Sequence, residues 1–186
     1  MTIFEKKKLE RDTFRKLRDE ISFNQRENVE KNVKRYVDSF VKEYKNINYV
    51  AIYWPLKNEV DIRSLKKKNF SLALPRCKNN KELSFFPWDE KPLTKDSEGI
   101  LSPKNSFSLS HKQISLILVP CLSIDKNLTR LGYGGGYFDK LRRDENWRNV
   151  PCIGVLTSNC VSTIPLTRAE WDIPLSGFIT EKEMFV

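Results

Sequence analysis

The chain has 186 residues, 39% hydrophobic and 31% charged, with 33 Lys plus Arg against 24 Asp plus Glu for a net charge of +9. That length supports one substantial core and not two, no apolar run nears the ~20 residues that cross a bilayer, and the lysine-rich start has no apolar stretch behind it to make a secretory signal. The expectation is a single cytoplasmic domain over residues 1–186, with no membrane partner and a preference for anions, although a generally basic solvated surface explains the charge equally well.

The first forty-five residues read as two helices. Phe14, Leu17 and Ile21 recur at three- and four-residue steps, and so do Val29, Val33, Tyr36, Val37, Phe40, Val41 and Tyr44. Ser22 to Asn24 makes a junction whose polar side chains can cap the second helix. The period then shortens. Tyr49–Trp54, Ser71–Leu74, Ile114–Val119, Cys152–Leu156 and Gly177–Thr180 are short apolar or β-branched runs, and several are apolar on both faces, as in strands covered on each side. Helical segments fit around Ile62–Lys68 and Gly136–Arg143, so strands and helices alternate, which predicts an α/β fold with a largely parallel sheet. "LSFF" reads as a less regular strand, and the polar, proline-bearing stretch from Pro87 to Gln113 as a long loop over one end of the sheet.

Cys77, Cys121, Cys152 and Cys160 show no C-x-x-C spacing, so they read as small buried hydrophobes rather than metal ligands. The one histidine, His111, lies in a polar stretch and reads as surface. Chemistry concentrates elsewhere. Four of the chain's seven glycines fall in "RLGYGGGYFDK", Arg130 to Lys140, between a strand and a helix. Glycines of that density imply positive φ or close approach to something bulky, and backbone N–H groups at a strand-to-helix loop suit phosphate. Neither common nucleotide motif fits. No glycine of the loop stands directly before a lysine, and Tyr137 occupies the third place of G-x-G-x-x-G. A tight turn for helix–strand packing is the competing account of a lone GGG. Arg130, able to clamp phosphate oxygens, and Asp139, able to hold Mg²⁺, favour the phosphate reading.

"VPCLSIDKNLTRLGYGGGYFDK", Val119 to Lys140, resembles the signature of the 5-formyltetrahydrofolate cyclo-ligase family, in which an apolar strand and an aspartate lead to R-L-G-x-G-G-G-[FY]-[FY]-D. "YWPLKNEVD", "LPR", "GILSP" and "WDIPLSGFIT" are similar to the family's further segments, in the same order. The resemblance implies a three-layer α/β/α sandwich with a mostly parallel sheet, similar to the ribose-phosphate isomerase and CoA-transferase class. It implies a monomeric enzyme that uses ATP and Mg²⁺ to convert 5-formyltetrahydrofolate to 5,10-methenyltetrahydrofolate by phosphorylating the formyl oxygen. Its partners would be a reduced folate and ATP, with no nucleic acid.

Carried over by position, the resemblance assigns ATP to Lys7, Arg11, Arg130, Leu131, Gly132, Tyr133, Gly134, Gly135, Gly136, Tyr137 and Phe138. Folate falls to Trp54, Glu59 and the Tyr133–Tyr137 stretch, magnesium to Asp139 and Asp172, and catalytic roles to Arg130 and Tyr137. The chain departs from the family pattern at Glu10, Tyr133 and Ser115, where leucine, arginine and aspartate are common. Taken without the resemblance, Trp54 reads equally as core, Asp139 as a helix-start residue and Asp172 as a turn cap. A basic RNA-binding module and a different ATP-dependent kinase or ligase are the rival functions; the first leaves the glycine loop unexplained.

Overall fold

The computed structural model describes residues 1–44, 47–67, 70–89, 91–104 and 107–186. Two long helices open the chain, α1 over Ile3–Asp19 and α2 over Phe23–Glu43, and each begins in a reciprocal cap. The Thr2 hydroxyl accepts from the Glu5 N–H while the Glu5 carboxylate accepts from the Thr2 N–H, and Ser22 and Gln25 repeat the arrangement. Two orphan donors are satisfied at each start, which fixes where each helix begins.

The strands are β1 Tyr49–Ala51, β2 Ser71–Lys78, β3 Glu82–Pro87, β4 Leu93–Lys95, β5 Leu101–Pro103, β6 Ile114–Pro120, β7 Ser123–Asp125, β8 Arg130–Leu131, β9 Cys152–Val155, β10 Val161–Ser162, β11 Gly177–Ile179 and β12 Met184–Phe185. Two short helices, α3 Tyr137–Arg143 and α4 Glu145–Arg148, lie between β8 and β9. The main sheet runs β12-β11-β9-β6-β1-β2-β3, with β11, β9, β6, β1 and β2 parallel and an antiparallel strand at each edge.

Side chains alternate across this sheet, because strand period is two. Ala51, Ala73, Ile117, Val119, Cys152 and Phe178 face one core with Phe14 and Leu17 of α1, Ile21 just beyond it, and Leu141 of α3. Val50, Leu72, Leu74, Leu116, Leu118, Ile153 and Ile179 face the other, against Val29, Val33, Val37 and Phe40 of α2. Helices on both faces of a mostly parallel sheet make the expected α/β/α sandwich, and all four cysteines are free and buried.

Four expectations need correction. The segment expected to be a helix at Ile62–Lys68 is a five-residue 3₁₀ turn, Arg63–Lys67, and Lys68 lies outside the described residues. "LSFF" belongs to a regular strand that pairs antiparallel with β2 from Ala73↔Pro87 to Lys78↔Glu82. His111 is half-buried, with its ring edge toward Trp147 at 6.3 Å, rather than surface. Pro87–Gln113 is not one long loop, because its described part contains the β4–β5 hairpin. Asp96 builds that hairpin's turn. Its Oδ1 accepts from the Glu98 and Ile100 N–H groups, while Oδ2 accepts from the Cys77 N–H at 2.8 Å and docks the turn on β2. An aspartate doing the work of backbone turns is a local signal, one that apolar periodicity does not register.

A second small sheet, β10-β7-β8, carries the approach to the glycine loop. Its organiser is Asp125, 1% exposed. Oδ1 accepts from the N–H groups of Asn127 and Thr129, and Oδ2 from that of Leu166. Asp125→Ala would leave these donors without their acceptor and is expected to cost at least about 2 kcal/mol, whereas Asp125→Asn retains one acceptor and should lose less. Urea unfolding of the two variants checks the order.

Candidate active site

In the sheet β2 and β6 flank β1, so the chain first travels outward to β3 and then returns to β6 before moving to the opposite edge. Loops leaving the carboxyl ends of β1 and β6 must therefore diverge, and such a switch point opens a crevice. A cavity of about 340 Å³ lies there, within the range that holds small molecules. Its wall includes Tyr53 and Trp54 just after β1, Pro75 and Cys77 of β2, and Pro120 at the end of β6. The glycine-rich stretch from Arg130 to Asp139 forms another wall, and α1 contributes Lys7 and Arg11. Every residue that the sequence assigned to a site therefore borders one cavity, including Glu59 and Asp172.

The glycine loop owes its course to backbone freedom at two positions. Gly134 has φ 108 and Gly136 has φ 76, both in the region that favours glycine, and Gly136 is the N-cap of α3. Helix α1 holds the loop from outside. Arg11 Nε donates to the Gly132 carbonyl at 2.9 Å, and Arg15 Nη2 to the Tyr133 carbonyl at 3.4 Å. Arg130 lies beneath the loop, where a Cβ at Gly132 would stand 2.9 Å from its guanidinium nitrogens. That guanidinium donates to the Pro120 carbonyl at 3.2 Å and to Asp139 Oδ1 at 3.1 Å. All three arginines thus act on the loop or its ends, a bracing role that charge alone did not suggest.

Glu59 marks another part of the wall. Its Oε2 accepts from the Leu56 N–H at 2.7 Å, while Oε1 is buried with no hydrogen-bond partner among the described residues. Burial pushes the Glu59 carboxyl above the usual carboxylate range, opposed by the Leu56 N–H, the nearby Tyr133 hydroxyl, and the charges of Arg18 and Arg130. Burial likewise raises the neighbouring Tyr133 phenol, with the Glu59 charge adding to it. A buried carboxylate oxygen lacking a donor is costly, so this oxygen is available to a ligand's N–H group. Trp54 is half-buried rather than core, with the Arg63 guanidinium 4.6 Å from its ring centre and the Trp88 ring edge-on at 6.2 Å.

The two expected metal carboxylates are both paired with cations. Asp172 Oδ2 accepts from buried Lys7 and from the Ala169 N–H, and Asp139 Oδ1 from Arg130. Asp139 is the more open, its side chain 34% exposed against 8% for Asp172. Sequence reasoning missed the hairpin's contribution. Asp96, Glu98 and Ile100 border the cavity, and the Tyr137 hydroxyl donates to Glu98 at 2.5 Å, a bond that pushes its phenol up to about 12. The signal was the Asp-Ser-Glu-Gly run at 96–99, with aspartate first and glycine fourth as in a tight turn. Among the described residues no helix is long and apolar enough to cross a membrane.

Fold and cavity together define an α/β protein with a small-molecule site at the switch point of its sheet. The model of the 5-formyltetrahydrofolate cyclo-ligase family matches residues 3–181, and the chain belongs to that family of ligases in folate metabolism. It is similar to the 5-formyltetrahydrofolate cyclo-ligase of Haemophilus influenzae, 26% identical over 175 residues that cover 89% of this chain and 92% of the relative. The Escherichia coli K12 enzyme of the same name is 30% identical over 106 residues, 55% of this chain and 56% of the relative. Among solved structures, the 5,10-methenyltetrahydrofolate synthetase of Aquifex aeolicus superposes with a TM-score of 0.77 at 28% identity, covering 96% of this chain and 91% of that one. The chain is an enzyme of this family.

The raised Glu59 carboxyl has a measurable consequence. The folded chain binds that proton more tightly than the unfolded chain, so the group favours folding at low pH and loses that contribution as pH rises through the raised folded value. Glu59→Gln, whose amide oxygen can still accept from Leu56, is expected to match the wild type in stability near pH 4 or below, about where free glutamate titrates. Toward neutral pH the variant should become the more stable of the two. Unfolding curves at both ends of that range check the crossing.

Proposed function

We propose that this cavity binds 5-formyltetrahydrofolate and ATP together and closes the folate to 5,10-methenyltetrahydrofolate, releasing ADP and phosphate. The observation that carries this reading is that an unpartnered buried carboxylate oxygen on Glu59 and a left-handed glycine loop border the same cavity. Glu59 accepts from the amino and ring N–H groups of the pterin, and Trp54 offers a flat apolar face to it. The N–H groups of Leu131–Phe138 approach the phosphates, with Lys7, Arg11 and Arg130 supplying positive charge around them.

The reaction divides into two displacements. The formyl oxygen attacks the γ-phosphorus, the bond to the β-phosphate oxygen breaks, and ADP departs. The second bridging nitrogen then attacks the formyl carbon and loses its proton, and the C–O electrons leave with inorganic phosphate. Holding the formyl oxygen and the γ-phosphorus in one enclosure gives the first step its advantage of proximity. Tyr137, on the loop and bonded to Glu98, closes the cavity on the hairpin side. Arg130 holds the loop's shape and places a fixed positive charge where negative charge accumulates.

Magnesium fits this donor set in part. It is usually held by one or two carboxylates together with substrate phosphates and water. Among the described residues no group of three His, Cys, Asp or Glu gathers to hold a metal alone. Asp139, one-third exposed on the wall, suits such a shared site, and Asp172 would join it by giving up part of its pairing with Lys7. When bound, the ion would supply charge neutralisation on the phosphates.

Activity, followed by the absorbance of methenyl-folate, is expected to require ATP and to vanish on EDTA treatment and return with added Mg²⁺; full activity in EDTA would contradict the magnesium assignment. The glycine loop gives a sharper test. Gly136→Ala forces a Cβ into a left-handed conformation at a strain of about 1–2 kcal/mol, so the loop will relax away from its phosphate-binding shape. Turnover should fall at least about tenfold, with a drop in melting temperature no larger than that strain explains. A variant with normal ATP affinity and turnover but a much lower melting temperature would show that the glycines serve packing.

A further inference from the structure

The segment presenting Glu59 is a short turn closed on itself. The Glu59 N–H donates to the Leu56 carbonyl at 3.1 Å and the Glu59 Oε2 accepts from the Leu56 N–H at 2.7 Å. Asn58 within it has φ 67, a conformation uncommon outside glycine and best tolerated by Asn and Asp. Such a turn can be internally complete and still pivot as a unit, so its attachment to the rest of the protein decides where the carboxylate lies. On its C-terminal side the turn is anchored by buried Val60, whose carbonyl accepts from the Tyr53 hydroxyl at 2.7 Å, and on the side facing α1 the attachment is made by the Asn58 side chain. Its Nδ2 donates to Asp19 Oδ1 at 2.8 Å, across 39 positions of sequence, at the last residue of α1. The same oxygen accepts from Arg18 Nε at 3.2 Å and Nη2 at 2.9 Å. The Arg18 guanidinium in turn lies 5.4 Å from the Tyr133 ring centre, and Arg18, Asn58, Glu59 and Tyr133 border one small cavity behind the main one.

We infer that Asn58 and Asp19 are positioning residues for folate recognition, holding the Glu59 carboxylate in register with the glycine loop through the end of α1. The inference rests on the reading of Glu59 as the group that accepts from the pterin. Without the Asn58–Asp19 bond the turn retains its own hydrogen bonds and its Val60 anchor but loses its tie to the end of α1, and with it one of the two supports that set the Glu59 side chain against Tyr133. The Asp19 carboxyl, held below the usual range first by the Asn58 amide and then by Arg18, is a charged acceptor throughout neutral pH. Charged acceptors make the stronger hydrogen bonds.

The test is steady-state kinetics with 5-formyltetrahydrofolate and ATP varied separately, and melting temperatures, on Asn58→Gly, Asp19→Ala, Asp19→Asn and Glu59→Gln. Asn58→Gly tolerates the left-handed backbone and removes the side-chain amide, at the cost of a freer unfolded backbone. Asn58→Gly and Asp19→Ala should each raise the folate KM about fivefold, leaving the ATP KM and kcat as in the wild type. Asp19→Asn, whose amide oxygen still accepts from Asn58, should recover most of the loss. Adding Asp19→Ala to Glu59→Gln should raise the folate KM no further, because both act through one carboxylate. An unchanged folate KM in Asn58→Gly and Asp19→Ala, with Glu59→Gln raised, overturns the inference and leaves the folate reading intact. Equal rises in both KM values with lowered melting temperatures also overturn it, showing a brace for the fold alone. A normal folate KM in Glu59→Gln overturns the reading of Glu59 itself, and the inference with it.

Discussion

The parting of the chain on either side of β1 is the constraint from which the site follows. Strand β1 is only three residues long, yet it pairs in parallel with both β2 and β6 and is buried on both faces. A strand so enclosed can send its continuation only past the carboxyl edge of the sheet, where the loop from β6 also emerges. Trp54 and Glu59 therefore arrive on one side of the crevice and the glycine loop on the other, with no need for either segment to be long. Helix α1 then covers the same end of the sheet. That is why its arginines meet the loop carbonyls at Gly132 and Tyr133 rather than solvent.

Within that crevice the electrostatics is a matter of competing pairs. Lys7 with Asp172 and Arg130 with Asp139 bring cations into an enclosed space at a tolerable cost, since each charge has a counter-charge and Arg130 and Asp172 make further hydrogen bonds. The arrangement also makes the carboxylates conditional. In the proposed reaction a bound polyphosphate would compete for these cations, and a carboxylate released in that way would share its divalent ion. The net charge of +9 acts at longer range, raising the local concentration of anions without defining where they sit.

Much of this was legible in the sequence where one physical signal dominated. The apolar period of α1 and α2, the five parallel strands and the glycine loop each rest on a local pattern that tertiary structure had no reason to override. The β4–β5 hairpin was not legible by the same means, because its strands are short and polar and its turn is built by one aspartate bonding to backbone N–H groups, Cys77's among them. Arg11 and Arg15 show another limit. Composition marks them as basic and helix spacing places them on one side of α1, but only tertiary contact reveals that they donate to the loop's carbonyls. Nor does any pattern state that Glu59 keeps one oxygen unpartnered, since that depends on everything packed around it.

Several local conflicts gather at this end of the molecule. Elsewhere helix starts are capped and strand faces alternate as the period demands. Around the crevice the backbone turns left-handed at Asn58, Gly99, Gly134 and Gly136, and a buried carboxylate oxygen lacks a donor. Each feature costs folding free energy, and such costs persist only where the surrounding structure over-determines them. Here the over-determination is visible: Asp19 holds the Glu59 turn, Asp96 holds the hairpin, and Asp125 holds the approach to Arg130. Three aspartates, each spent on backbone or amide donors, keep three strained segments facing one cavity. The strain and its supports together leave the Glu59 oxygen and the loop's N–H groups oriented before any substrate arrives, which is what a site must have if binding is not to expend itself on rearrangement.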